Sequence, residues 1–261
     1  MLTLVKKKEF KNGVVYALRT EDGFMIETTD TFLPSYTKDT SPNNTNELVD
    51  GDLGSRKDRW MIGVSTMSGC PVGCKFCATG GMSNWRNLTA EEIHAQVEFI
   101  LSTRTEDFYN AFEHKINYTR MGEPFLNIDN VREAIEMIEA DYPDTHHYVS
   151  TIGIKGSDFS WIKDNITLQV SVHSLEDEKR NWLIPINGKM TMQELGQIRT
   201  ESELKTTVNM TLVDESDFDI VKLKELFDPE FFFIKLSPIN VNETSESNDL
   251  GGGVIDANYI V

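Results

Sequence analysis

The sequence is poor in cysteine, in long apolar runs and in positive charge. Its three cysteines all fall between positions 70 and 77 of 261 residues, and so tight and odd a set is a poor disulfide framework. No run of eighteen apolar residues occurs, so no membrane span is expected. Residues 1–8 lack the apolar stretch of a signal peptide. We therefore expect a cytoplasmic protein without a membrane partner.

Basic residues are outnumbered: 25 lysines and arginines stand against 42 aspartates and glutamates, a net charge of -17. Proteins that hold nucleic acid through many phosphates usually present a basic face. The charge balance argues against an extensive surface of that kind but leaves room for a local basic patch. Its simplest consequence is solubility.

The chain divides into three predicted regions. Residues 1–59 read as a small β-rich extension and linker, with a hairpin between strands at 14–18 and 23–28 and a loop at 38–57. Residues 60–240 form the core. Residues 241–261, rich in Glu, Ser, Asn and Gly, are predicted to be an irregular tail.

Strand and helix patterns alternate six times within the core. Thr89 and Glu92 occupy the two positions of a capping box at the start of the first helix. The alternation predicts an α/β fold whose parallel sheet forms a partial (β/α)6 barrel. The predicted strands are 60–66, 115–119, 148–152, 166–172, 206–212 and 231–236, and the predicted helices are 90–102, 129–139, 157–163, 191–200 and 218–227.

The three cysteines follow the first core strand in a C-x3-C-x2-C pattern formed by Cys70, Cys74 and Cys77, with Phe76 before the last. This places them on a loop at the carboxyl end of a strand, where α/β folds carry their sites. Three thiolates can hold three irons of a cubane cluster and leave the fourth iron open. The alternatives are a Cys3His zinc site or three buried thiols. Zinc sites prefer paired cysteines, and the nearest histidine, His94, falls inside the predicted first helix.

The order and spacing of further motifs resemble the radical S-adenosylmethionine (radical SAM) superfamily. Within it, the chain is most similar to the adenine methyltransferases that modify 23S ribosomal RNA and transfer RNA. The resemblance covers about residues 60 to 240. The matching segments are 73–80 (GCKFCATG), 86–93 (RNLTAEEI), 121–124 (MGEP) with 126–127, 149–151, 170–174, 184–187 and 238–240.

The resemblance implies two cofactors, a [4Fe–4S] cluster and S-adenosylmethionine, and an electron donor such as flavodoxin or ferredoxin. It places Gly122 and Glu123 at the amino group of S-adenosylmethionine, where a carboxylate can accept hydrogen bonds. It places a second group of residues at the ribose, carboxylate or adenine. Taken alone, Glu123 could be a solvated loop acid and a lone histidine a structural one. The second group is Ser150, Ser171, His173 and Asn240.

The chain also departs from these methyltransferases. Their resolving cysteine, seven residues before the first cluster cysteine, is replaced by Gly63, and no cysteine follows Cys77 to carry a methyl group. The glycine that precedes their Met-Gly-Glu-Pro motif is Arg120 here, and their RNA-binding module is not recognisable in residues 1–60. Glycine cannot supply the soft nucleophile that this methyl transfer needs.

We therefore predict an enzyme that generates a 5′-deoxyadenosyl radical and abstracts hydrogen from a substrate in a non-methylating modification or rearrangement. By analogy, the predicted substrate is a nucleobase, a nucleotide or a nucleic acid. Two alternatives stay open: a peptide-modifying or glycyl-radical activating enzyme, and a non-catalytic metal-binding module. The sequence identifies no residue that acts directly on the substrate.

Overall fold

The computed structural model describes residues 1–33, 53–212 and 218–251, so most of the predicted loop at 38–57 and the last ten residues lie outside it. One nine-stranded sheet runs through these residues, with its strands in chain order. The strands are β1 (Thr3–Phe10), β2 (Gly13–Arg19), β3 (Met25–Leu33), β4 (Arg59–Gly63), β5 (Glu113–Tyr118), β6 (His146–Thr151), β7 (Ile166–Ser171), β8 (Thr206–Leu212) and β9 (Phe232–Pro238).

Two kinds of pairing meet at β4. Strands β1 to β4 pair antiparallel, while β4 to β9 pair parallel. The six parallel strands confirm the α/β fold class and the partial barrel, and the antiparallel strands extend the same sheet. The predicted hairpin is β2–β3, which turns through Asp22 and Gly23. The sequence prediction missed β1, an exposed strand whose Lys6, Lys7 and Lys8 protect the sheet edge.

Helices connect consecutive parallel strands, except β6 and β7, and cover one face of the sheet. The predicted first helix is confirmed at Ala90–Ser102. Its capping box forms as predicted: Thr89 Oγ1 accepts the Glu92 N–H, and the Glu92 carboxylate accepts the Thr89 N–H. No helix among the described residues is long and apolar enough to cross a membrane. The helices are α1 (Ala90–Ser102), α2 (Ile128–Asp141), α3 (Asp177–Leu183), α4 (Met192–Leu195), α5 (Ile220–Leu226) and α6 (Glu243–Ser247).

Two helix predictions and the prediction for the tail need correction. Residues 157–163 form turns rather than a helix, because Gly156 has a φ of 81° and the Asp158 side chain accepts the Ser160 N–H in a local turn. The predicted helix at 191–200 spans only Met192–Leu195. The described part of the predicted irregular tail contains α6, which Asn242 caps by accepting the N–H groups of Thr244 and Ser245.

The two faces of the sheet differ in chemistry. Trp60, Ile62, Ile116, Val149 and Val208 point toward the helices and are fully buried. On β5 to β8, residues of the opposite face are polar and mostly partly exposed. This face lines the inside of the partial barrel because the helices cover the other one. We call this opposite surface the lumen face; its members include Lys115, Asn117, Tyr148, Ser150, Gln169, Ser171 and Asn209.

Candidate active site

The cysteine loop follows β4 and is tied to the end of β5. The backbone N–H groups of Thr66 and Met67 both donate to the Met121 carbonyl, at 2.8 and 3.1 Å. Gly122 is required at this junction. Its φ is 107°, and a Cβ there would lie 2.6 Å from Met67 Cγ and 2.7 Å from Thr66 Oγ1. A side chain at position 122 would therefore push the cysteine loop away from β5.

The three cysteines are partly buried and influence one another. Burial raises the pKa of Cys70 to about 12, and the charges of Glu123 and Cys77 add to the effect. Burial also raises the pKa of Cys74 well above its usual value, with added contributions from Cys77 and Cys70. Burial therefore favours the protonated thiols of Cys70 and Cys74 when no metal is bound. Three clustered thiolates are stable here only when they share a cationic centre, which is what a metal cluster supplies.

The zinc alternative loses the histidine that sequence proximity offered. His94 lies on α1, where its Nε2 is 2.9 Å from Asp141 Oδ2 at the end of α2. It therefore belongs to a surface pair of the outer helices. The donor set on the loop is three thiols, as a cluster with one open iron requires.

Glu123 is a buried carboxylate rather than a solvated loop acid. It is 3% exposed, and its two oxygens accept the N–H of Phe125 at 3.1 Å and the N–H of Ile152 at 3.0 Å. The bond from Ile152 joins the loop after β5 to the end of β6, whereas the bond from Phe125 is local to that loop. Burial raises the pKa of Glu123 to about 7, although hydrogen bonds from Thr151, Ile152 and Phe125 favour the charged form.

The remaining predicted residues lie at or just beyond the carboxyl ends of β6, β7 and β9. Ser150 lies on the lumen face, and its hydroxyl donates to Gln169 Oε1 at 3.1 Å. Ser171 ends β7 on the same face. His173 is buried in a left-handed conformation, with a φ of 61°, and its Nδ1 accepts the Thr211 N–H at 3.0 Å.

His173 also contacts the cysteine loop, because its ring centroid lies 4.6 Å from that of Phe76. Burial lowers its pKa to about 3, so the ring is neutral. Asn240 is exposed beyond β9, and its carbonyl accepts the side-chain amide of Asn242 at 2.9 Å. The same amide donates to the Phe76 carbonyl at 2.9 Å. The structure thus places the predicted residues around one edge of the barrel, whereas their cofactor contacts stay predictions.

Sequence reasoning missed two features of the site. Arg180 on α3 is 1% exposed, and its guanidinium donates to the carbonyls of Met190 at 2.7 Å and Ile152 at 2.5 Å. Burial lowers its pKa to about 10. The second feature is the tail: Asn248 donates to the Lys75 carbonyl at 3.1 Å, so α6 packs against the cysteine loop. Neither the buried role of Arg180 nor the contact of Asn248 with the cysteine loop could be predicted, because α3 is rich in charged residues and the tail is polar.

Gly63 and Arg120, the two positions at which the chain departs from the similar methyltransferases, lie side by side in the structure. A Cβ at position 63 would lie 2.4 Å from Thr29 Oγ1, 2.9 Å from Arg120 Cδ and 3.2 Å from Arg120 Cγ. The Arg120 side chain therefore occupies the space that a residue larger than glycine would need. Its guanidinium forms an ion pair with Glu27 on β3.

Together, the fold and the site define an α/β protein with a thiol loop and a buried carboxylate at the carboxyl ends of its parallel strands. A family model, that of the Radical SAM superfamily, matches residues 64–227. The chain belongs to the radical SAM superfamily, and its cofactors are a [4Fe–4S] cluster and S-adenosylmethionine.

Similar proteins agree with this membership. A probable dual-specificity RNA methyltransferase RlmN of Dictyoglomus turgidum is 36% identical over 181 residues, which cover 62% of this chain and 51% of the relative. One of the same description from Dictyoglomus thermophilum is 32% identical over 233 residues, covering 80% and 64%. The chain thus spans about half to two thirds of the length of these relatives. The crystal structure of a radical SAM methyltransferase from Sphaerobacter thermophilus shares the fold, with a TM-score of 0.61, 24% identity and coverage of 92% of this chain and 67% of that one.

Proposed function

We propose that this chain reductively cleaves S-adenosylmethionine and uses the resulting radical to abstract hydrogen from a nucleobase or nucleotide without methylating it. One combined observation carries the proposal: the three-cysteine loop is present, while the space beside Gly63 is filled by the side chain of Arg120. The chain retains what radical generation requires, whereas Arg120 takes the place of a thiol on the lumen face.

Cys70, Cys74 and Cys77 would hold three irons of the cluster. When bound, the cluster supplies an electron to the sulfonium of S-adenosylmethionine, whose cleavage gives methionine and a 5′-deoxyadenosyl radical. Enzymes of this superfamily take that electron from a reductant. The proposal assigns this role to an external protein such as flavodoxin or ferredoxin.

Glu123 would bind the amino group of S-adenosylmethionine. Its carboxylate is fixed by two backbone N–H groups, from Phe125 and Ile152, so it is already oriented at the barrel edge. Gly122 keeps this loop against Thr66 and Met67, next to the cysteines. Ser150, Ser171, His173 and Asn240 would contact the rest of the cofactor.

The lumen face supports a polar, ring-shaped substrate. Gln169 Oε1 accepts hydrogen bonds from Ser150 at 3.1 Å and from Asn209 Nδ2 at 3.3 Å. These bonds hold two amide groups in fixed orientations across three strands. Amides present a donor and an acceptor in one plane, which matches the edge of a nucleobase. The relatives' description as RNA methyltransferases agrees with a substrate of this class.

The test uses S-adenosylmethionine labelled at its methyl group. Reconstituted protein is incubated anaerobically with a reductant and with transfer RNA, ribosomal RNA or a nucleotide pool. The proposal predicts 5′-deoxyadenosine formation that increases with the true substrate, while all label stays in methionine. Label on adenine C2 or C8 would show that the chain methylates its substrate, which would contradict the proposal.

A variant and a matched control test the role of the cysteine loop in cleaving S-adenosylmethionine. Cys74→Ala should abolish 5′-deoxyadenosine formation, because the loop then offers only two ligands. Ser68→Ala changes the same loop but removes only a hydroxyl, which accepts the Arg86 N–H at 2.9 Å and donates to the Arg86 carbonyl at 3.4 Å. This control should retain the cluster and the cleavage activity.

A further inference from the structure

Arg120 lies at an unusual place for an ion-paired arginine. It follows β5 at the carboxyl edge of the barrel, two residues before Gly122 and three before Glu123. Its side chain runs across Gly63, whose neighbour on β3 is Thr29, so the side chain is on the lumen face. The side chain is 25% exposed, and that of its partner Glu27 is 36% exposed. Part of the Arg120 side chain, although not its Nε, is thus accessible from inside the barrel.

The guanidinium is incompletely paired. Its Nη2 donates to Glu27 Oε1, which is its only hydrogen bond to a side chain among residues 1–33, 53–212 and 218–251. Its Nε is buried without a hydrogen-bond acceptor in that same part of the chain. A buried donor without an acceptor costs free energy and needs an explanation, and a ligand oxygen is one.

The two arginines that bind Asp30 of β3 are paired differently from Arg120, whereas the Nε of Arg180 is likewise buried without an acceptor among the described residues. On the opposite face of β3, Asp30 accepts from Arg56 through both Nε and Nη2, and Arg104 Nε also donates to it at 2.6 Å. Asp30 itself is fully buried, so that group binds β3 to its surroundings. Arg120 instead uses one nitrogen for a partly exposed carboxylate, and such pairs contribute little to stability.

We infer that Arg120 binds a phosphate of the substrate and that Glu27 holds its guanidinium when no phosphate is present. The inference rests on the proposed function and narrows its substrate class to phosphate-bearing nucleotides, free or within a chain. A guanidinium offers planar paired donors that match phosphate oxygens, and Nε with Nη2 is one such pair. Nε is buried while Arg120 is paired with Glu27, so a phosphate would become its acceptor only when the side chain turns away from Glu27.

Another anion could use the same donors, namely the carboxylate of S-adenosylmethionine. The experiment separates the two sources by measuring them independently. Binding of each ribonucleoside 5′-monophosphate and its nucleoside is measured by calorimetry on full-length reconstituted protein. The cluster is kept oxidised so that no cleavage occurs, and S-adenosylmethionine is saturating so that its adenine site is filled. S-adenosylmethionine binding is measured alone.

Three variants complete the design: Arg120→Gln, Glu27→Gln and Arg86→Gln. Arg86 is a matched control, because its side chain is 26% exposed and ion-paired but lies outside the barrel, with Asp22 and Glu92. Wild-type protein should bind at least one monophosphate more tightly than its nucleoside. Arg120→Gln should weaken that binding roughly ten- to a hundredfold and leave the nucleoside unaffected. Glu27→Gln should strengthen it, since the competing carboxylate is gone, and Arg86→Gln should not change it.

A purely structural ion pair would behave otherwise. Arg120→Gln and Glu27→Gln would then change thermal stability alike and leave nucleotide binding unchanged, which would overturn the inference. A loss confined to S-adenosylmethionine affinity would also overturn it, by assigning Arg120 to the cofactor carboxylate. Neither result bears on 5′-deoxyadenosine formation by the wild-type protein, which tests the proposed function separately.

Discussion

Glu123→Gln should weaken S-adenosylmethionine binding in a way that depends on pH. The variant keeps the size of the side chain but removes its charge, and its new NH2 group must face the N–H of Phe125 or Ile152. A charge-assisted hydrogen bond is worth about 1.5–3 kcal/mol, so affinity at pH 8 should fall roughly ten- to a hundredfold.

The pH dependence follows from the raised pKa. With a pKa of about 7, the wild-type carboxyl is mostly protonated at pH 6 and mostly ionised at pH 8. If only the carboxylate accepts from the ligand, its contribution to affinity should rise about tenfold between these pH values. The same shift stabilises the folded protein at low pH. That stability is fully present below the unfolded pKa near 4.5 and is lost as the pH rises through about 7.

The assay is equilibrium dialysis of labelled S-adenosylmethionine against reconstituted protein with an oxidised cluster at pH 6, 7 and 8. The amino group of the ligand also titrates, but it does so equally for both proteins. The ratio of wild-type to Glu123→Gln affinity therefore isolates the carboxyl group, and it should increase with pH. A ratio that stays constant from pH 6 to pH 8 would refute the assigned role of Glu123.

Two further predictions concern packing. Gly63→Cys should lower the free energy of unfolding by about 1–3 kcal/mol in urea, because the new Cβ meets Thr29 and Arg120. The loss should be smaller in an Arg120→Ala background, and equal losses would contradict the overlap of the two side chains. Arg180→Ala should lower the free energy of unfolding by about 2–5 kcal/mol in the same assay, because the carbonyls of Met190 and Ile152 lose their donor. A loss below about 1 kcal/mol would contradict this structural role of Arg180.

The sequence predicted those parts of the fold that depend on local signals. The start of α1 was predictable because the capping box of Thr89 and Glu92 marks its first turn. The parallel strands were predictable from their apolar runs. The strand β1 was not, since three successive lysines obscure its alternation. The helix α3 was also missed, because its one fully buried charged residue, Arg180, has the sequence signature of an exposed one.

The candidate site likewise has features that could be predicted from the sequence and features that could not. The cysteine loop is a contiguous motif, so its residues and its position after β4 could be predicted. The overlap of Arg120 with Gly63 could not, because it depends on how two loops and the side chain of Thr29 meet after the sheet has formed. Ion pairs such as Arg120 with Glu27 join residues far apart in the chain, and no local pattern announces them.

The most direct test of the account is anaerobic reconstitution, followed by iron analysis and measurement of 5′-deoxyadenosine. Wild-type protein should hold about four irons and four sulfides per chain and release 5′-deoxyadenosine and methionine when reduced. Cys74→Ala should lose both the cluster and the cleavage. Cleavage of S-adenosylmethionine by Cys74→Ala, or a wild-type protein that holds zinc and no iron, would contradict the central claim.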